Sequence, residues 1–175
     1  GIGYFEDLNS LESNGKLQTE SSDISTRAKQ RGLRALGTLG SGNHFLELQS
    51  VERIVDSETA KHWGLFEGQL LAMIHSGSRG LGHQVCSEHS RKFEQMYKRD
   101  GEKWYNENWD FQIADRQLAS APFHSKEGQQ YLEEMNAAAN FAFANRSALA
   151  HRLREVLNLE MGKDGEARVL YDVAH

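Results

Sequence analysis

Residues 37–48 read GTLGSGNHFLEL. Glycines at 37, 40 and 42 are followed at once by Asn43 and His44, and from there the chain turns apolar. HFLELQSVERI, residues 44–54, alternates apolar and polar side chains as a half-buried strand does. Glycine takes up positive φ and lets a ligand approach the backbone closely. Successive exposed N–H groups form nests for anions. The stretch therefore predicts a phosphate-sized loop, then a histidine, then a strand. A strand-like run with a histidine at its end recurs twice. QLLAMIH, residues 69–75, is a continuous apolar run that predicts a strand buried on both faces and ending at His75; SGSRGLGH follows with three more glycines. RVLYDVAH near the end predicts a last strand that finishes at His175.

Strands laid side by side would bring His44, His75 and His175 together, and metal sites are commonly assembled from such distant residues. The bland alternative is equally physical, since histidines at strand ends often bond to backbone carbonyls. The glycine clusters have their own plain reading as tight turns. Around these loops, Arg79 lies inside the second glycine stretch, and Arg27, Lys29, Arg31 and Arg34 form a basic cluster before the first. An arginine there can hold a phosphate through two parallel bonds. Phe45 can stack on a nucleobase or sit in a core. Glu47, two residues on and so on the same face, can accept from a base edge or simply face water.

The remaining sequence bounds the possibilities. A length of 175 residues suits a single domain, with 38% hydrophobic and 26% charged residues in the ordinary globular range. A net charge of -5 argues against binding a polyanion through bulk charge. No apolar run is long enough to span a membrane, and no signal-peptide pattern opens the chain. One cysteine, Cys86, excludes an internal disulfide framework and a CxxC zinc site, which points to a reducing cytoplasm. The chain starts at Gly1 and stops directly after a strand-like run, so it is expected to be a piece of a longer protein, incomplete at both ends. The polar first thirty residues predict loop, with a short helix near 24–34. Val85, His89, Phe93 and Met96 predict a helix over 84–99, and residues 101–124 predict irregular structure. A long helix is expected from an N-cap at Ser125, with Asn145 and Arg146 as a polar break in its apolar face. Strands and helices mix without regular alternation, which favours α+β over a doubly wound sheet.

RGLRALGTLGSGNHFLEL (31–48), MIHSGSRGLGHQV (73–85), APF (121–123), NAAANFAFANR (136–146) and YDVAH (171–175) together resemble the RtcB family of RNA-splicing ligases. The resemblance implies an α+β fold with small mixed or antiparallel sheets, packed helices and metal-binding histidines at strand ends. It implies a GTP- and manganese-dependent ligase that joins RNA ends bearing a 2′,3′-cyclic phosphate or 3′-phosphate to 5′-hydroxyl ends, in tRNA splicing or RNA repair. By motif, His44 would bind one Mn²⁺ and His75 and His175 a second. Asn43 would contact guanylate or RNA phosphate, Phe45 and Glu47 the guanine, and Arg31 and Arg79 RNA phosphates. RNA, as tRNA halves or broken strands, is the implied partner, and archease a possible accessory one.

The family also carries an Asp-x-x-Cys metal motif upstream and a guanylylated histidine downstream. Neither is matched between Gly1 and His175, so the chain is expected to be the central part of such a ligase and inactive by itself. His62, His83, His89, His124 and His151 match no family role and are expected to be structural or at the surface. Two other functions use the same residues. One is a metal-dependent phosphoesterase, which would need no GTP. The other is a non-catalytic RNA-binding module.

Overall fold

The computed structural model describes residues 3–20 and 24–173. Its elements are α1 (Thr26–Leu33), β1 (Phe45–Ser50), α2 (Ser57–Trp63), β2 (Leu70–His75), α3 (Arg79–Gln95), β3 (Lys98–Asp100), β4 (Lys103–Asn106), β5 (Phe111–Ile113) and α4 (Lys126–Met161), with short 3₁₀ turns between several of them. The class is α+β: two small antiparallel sheets and packed helices. No described helix is long and apolar enough to cross a membrane.

These elements form two compact units. One holds the described parts of Leu17–Arg34 and Ser78–Phe141. Ser25 starts α1 by accepting the Ala28 N–H at 3.1 Å, and its hydroxyl donates to Glu88 of α3 at 2.9 Å. Ile24, Ala28, Leu81, Val85 and Ala138 make the core, joined by Ala137 and Phe141. Val85, His89 and Phe93 are buried on one stripe of α3, as their spacing predicts, although the helix begins five residues earlier than expected. His89 meets Glu134 of α4 at 3.2 Å, both almost fully buried. Ser125 caps α4, its oxygen accepting the Gly128 N–H at 3.0 Å. The stretch 101–124 is not irregular throughout. With residues 98–100 it forms a three-stranded antiparallel meander, β3–β4–β5, anchored by the buried Asn106 and Ile113. Strands of three or four residues are too short to show a period of two, which is why the pattern hid them.

The other unit holds the described parts of Gly1–Lys16, Ala35–Gly77 and Ala142–His175. β1 and β2 pair antiparallel, Phe45 opposite His75 and Ser50 opposite Leu70. Two expectations fail here. β2 is not buried on both faces: Leu70 is 62% exposed and Met73 44%. An apolar run reads the same whether or not a second layer covers it. Residues 169–173 form no strand; one bridge, Leu11 with Asp172, is all the pairing they make among the described residues. That bridge uses the Glu12 N–H to the Asp172 carbonyl (2.8 Å) and the Asp172 N–H to the Ser10 carbonyl (2.9 Å). In the same unit Arg154 grips both carboxylate oxygens of Asp7 at 2.7 Å and donates to the Ala167 carbonyl at 2.8 Å.

Candidate functional site

The antiparallel register puts the start of β1 beside the end of β2. His44 stands just before β1 and His75 closes β2, so the pairing brings two residues thirty-one positions apart into contact range. Their ring centroids are 5.9 Å apart. Phe45, directly opposite His75 in the ladder, stacks on its imidazole with centroids 5.2 Å apart and planes within 8°. Glu47 is exposed on the same strand face, opposite Met73, and accepts from the Gln49 side chain at 3.1 Å. Asn43 is exposed beside His44. The loop feeding this corner needs its glycines, since Gly37, Gly40 and Gly42 have φ of +70°, +117° and +75°. Among the described residues no three His, Cys, Asp or Glu side chains gather into a group that could hold a metal ion, so the histidines here are a pair. The expected third member, His175, lies outside the described residues.

Behind this pair stands the middle of α4. Asn145 is fully buried. Its carbonyl oxygen accepts the N–H groups of Gly37 (2.7 Å) and Thr38 (3.2 Å). Its amide group donates to the Thr38 carbonyl (3.2 Å), the Ser76 hydroxyl (3.1 Å) and the Gly77 carbonyl (3.2 Å). Ser76, also fully buried, donates a hydrogen bond from its hydroxyl to the Leu39 carbonyl at 2.6 Å. Arg146 donates to the Ser76 carbonyl at 3.2 Å and to the Asp172 carboxylate at 2.6 Å. Burial raises the Asp172 carboxyl above its ordinary range, and this desolvation outweighs the opposing pull of Arg146. One dipeptide thus touches both glycine loops and the YDVAH segment. Sequence reasoning took it for a polar interruption. The available signal was two strongly polar residues in the middle of an apolar helix, where polar groups need partners.

Arg31 and Arg79 both belong to the unit built on α1 and α3. Arg31 is exposed on α1 and donates to Gln84 at 2.9 Å, with the His83 ring at 3.3 Å. Its side chain lies against Gly80, where an added Cβ would sit 3.1 Å from Arg31 Cβ. Arg79, next to Gly80, opens α3 with φ of +52°, in the left-handed region that a side chain seldom occupies. Such strain is typical of sites where a side chain must be aimed. Of the other histidines, His62, His83 and His124 are exposed and His89 is buried in its ion pair.

Glycine-lined loops and an imidazole pair at adjoining strand ends thus sit in an α+β frame. The chain belongs to the RtcB family, whose model, described as tRNA-splicing ligase RtcB, matches residues 1–175. It is 48% identical to the tRNA-splicing ligase RtcB of Pyrococcus furiosus, the match covering all of this chain and 18% of that protein. To the proteins of the same name from Thermococcus kodakarensis and Pyrococcus abyssi it is 47% and 49% identical, again over its whole length and over 35% and 19% of theirs. The chain therefore spans roughly a fifth to a third of the length of these relatives.

Proposed function

We propose that the chain is the part of a GTP- and Mn²⁺-dependent RNA ligase that holds metal, guanylate and RNA phosphate. The reaction is the joining of 2′,3′-cyclic phosphate or 3′-phosphate ends to 5′-hydroxyl ends, with tRNA halves or broken RNA as substrates and archease as a candidate accessory protein. The observation that carries this reading is the approach of His44 and His75 to 5.9 Å at the mouth of two glycine loops, in a chain matched from end to end by the family.

Imidazole nitrogens fit Mn²⁺ in donor type, His44 for one ion and His75 with His175 for a second. When bound, the ion supplies Lewis-acid polarisation of a phosphoryl oxygen. The chain's own residues do the rest. His44 and His75 coordinate only as neutral imidazoles, so acid competes with the ion for them. Phe45 offers a ring and Glu47 a carboxylate on one strand face, a pair suited to the plane and the N–H edge of guanine. Arg31 and Arg79 offer guanidinium groups to RNA phosphates, where they would neutralise developing charge.

The test is a titration of the chain with Mn²⁺, followed by the electron paramagnetic resonance signal of the free ion at pH 7.5. The expected result is binding that is lost in His44→Ala and His75→Ala and kept in His124→Ala. Equal binding by all four proteins would refute the role of the pair.

A further inference from the structure

We propose that Asn145 and Arg146 are positioning residues that set the direction of the His75 imidazole and tie the segments carrying His44 and Asp172 to the same point of α4. The proposal rests on the metal-binding role of the histidine pair for its consequence, but not for its geometry.

Ser76 is the link. It follows His75 directly, and three of its polar connections are fixed: its hydroxyl gives to Leu39 (2.6 Å) and receives from Asn145 (3.1 Å), and its carbonyl receives from Arg146 (3.2 Å). Each residue has only two soft backbone torsions. A neighbour held at both hydroxyl and carbonyl therefore leaves His75 little freedom to swing away from Phe45, whose ring it stacks against at 5.2 Å. The Leu39 carbonyl belongs to the loop that leads to His44, and Asn145 holds that loop again at Gly37 and Thr38. Arg146 reaches Asp172, three residues before His175 in the sequence, at 2.6 Å.

Plain packing does not require this arrangement. Apolar side chains of similar volume often replace a buried charged pair without loss of stability. Arg146 is 7% exposed, and one of its guanidinium nitrogens has no partner among the described residues. Such a group is poorly used as glue and well used as a fork that fixes two other segments. Residues placed behind metal-binding histidines in this way commonly change metal affinity 10- to 100-fold when altered, roughly speaking.

Three variants of the 175-residue chain decide the matter. Arg146→Lys keeps the charge and removes the fork. Ser76→Ala removes one oxygen. Arg154→Lys alters another buried arginine of α4, bonded to Asp7 and Ala167, and serves as the purely structural comparison. Proton–carbon spectra of the histidine rings report whether His75 still lies under Phe45, and Mn²⁺ titration reports the consequence. The expected result is displaced His75 ring signals and about tenfold weaker Mn²⁺ binding in Arg146→Lys and Ser76→Ala. Arg154→Lys should melt earlier with both readouts unchanged. Unmoved His75 signals in folded Arg146→Lys and Ser76→Ala overturn the proposal. Should Arg146→Lys fail to fold, Ser76→Ala decides alone. Should the parent chain bind no Mn²⁺, the metal role fails, and the ring signals still decide the positioning role.

Discussion

Replacing Asn145 by alanine removes five hydrogen bonds from a fully buried point. The two accepted from Gly37 and Thr38 count fully. The three donated at 3.1 to 3.2 Å share two amide protons and count as two. At about 1 kcal/mol net for each, the loss is about 4 kcal/mol. Water entering the vacated space would restore some of the bonding and set a floor near about 2 kcal/mol. For a chain of this length about 4 kcal/mol lowers the melting temperature by roughly 8–16 °C. Trp63 lies in the unit that contains Asn145, and Trp104 and Trp109 lie in the other. Urea unfolding followed by Trp63 fluorescence, with Trp104 and Trp109 replaced by phenylalanine, therefore uses a probe placed in the affected unit. A loss smaller than about 2 kcal/mol would refute the reasoning, because it would mean that solvent satisfies the loop amides nearly as well as the side chain does.

Acid stability should depend on Asp7. Its carboxyl is held below the ordinary range, chiefly by the hydrogen bond from Arg154, so its contribution is present above about pH 4 and is lost as pH falls through the depressed value. Asp7→Asn should lower stability at pH 7 by about 2–3 kcal/mol, somewhat under the value for fully buried pairs, and should flatten the decline in melting temperature below pH 4. Ser125→Ala removes the cap of α4 and should cost about 1 kcal/mol, read from Trp104 and Trp109 with Trp63 replaced by phenylalanine.

Much of the candidate site was legible because it rests on patterns that sequence states directly. Alternation after His44 gave β1, the apolar run before His75 gave β2, and an antiparallel pairing of the two does the rest. Glycine at 37, 40 and 42 foretold backbone with positive φ, and the Ser125 cap foretold the start of α4. Other features turned on partners that no local pattern names. Leu70 and Met73 read as buried because apolarity marks what could be covered, not what is. RVLYDVAH has strand composition, yet the described part of it makes only one bridge, opposite Leu11. Asn145 and Arg146 were visible as exceptions, but their partners lie on segments 26 to 108 positions away.

The five-bonded amide also gives α4 a unique key. Small apolar residues such as Ala142 and Ala148 tolerate sliding, because contact between methyl groups is indifferent to a shift of one turn. An amide that must meet Gly37, Thr38, Ser76 and Gly77 at once has no second solution, and no other Asn–Arg pair in the later half of the helix could take its place. This residue thereby helps fix the rotation and translation of the helix, much as one polar position fixes the alignment of paired helices elsewhere.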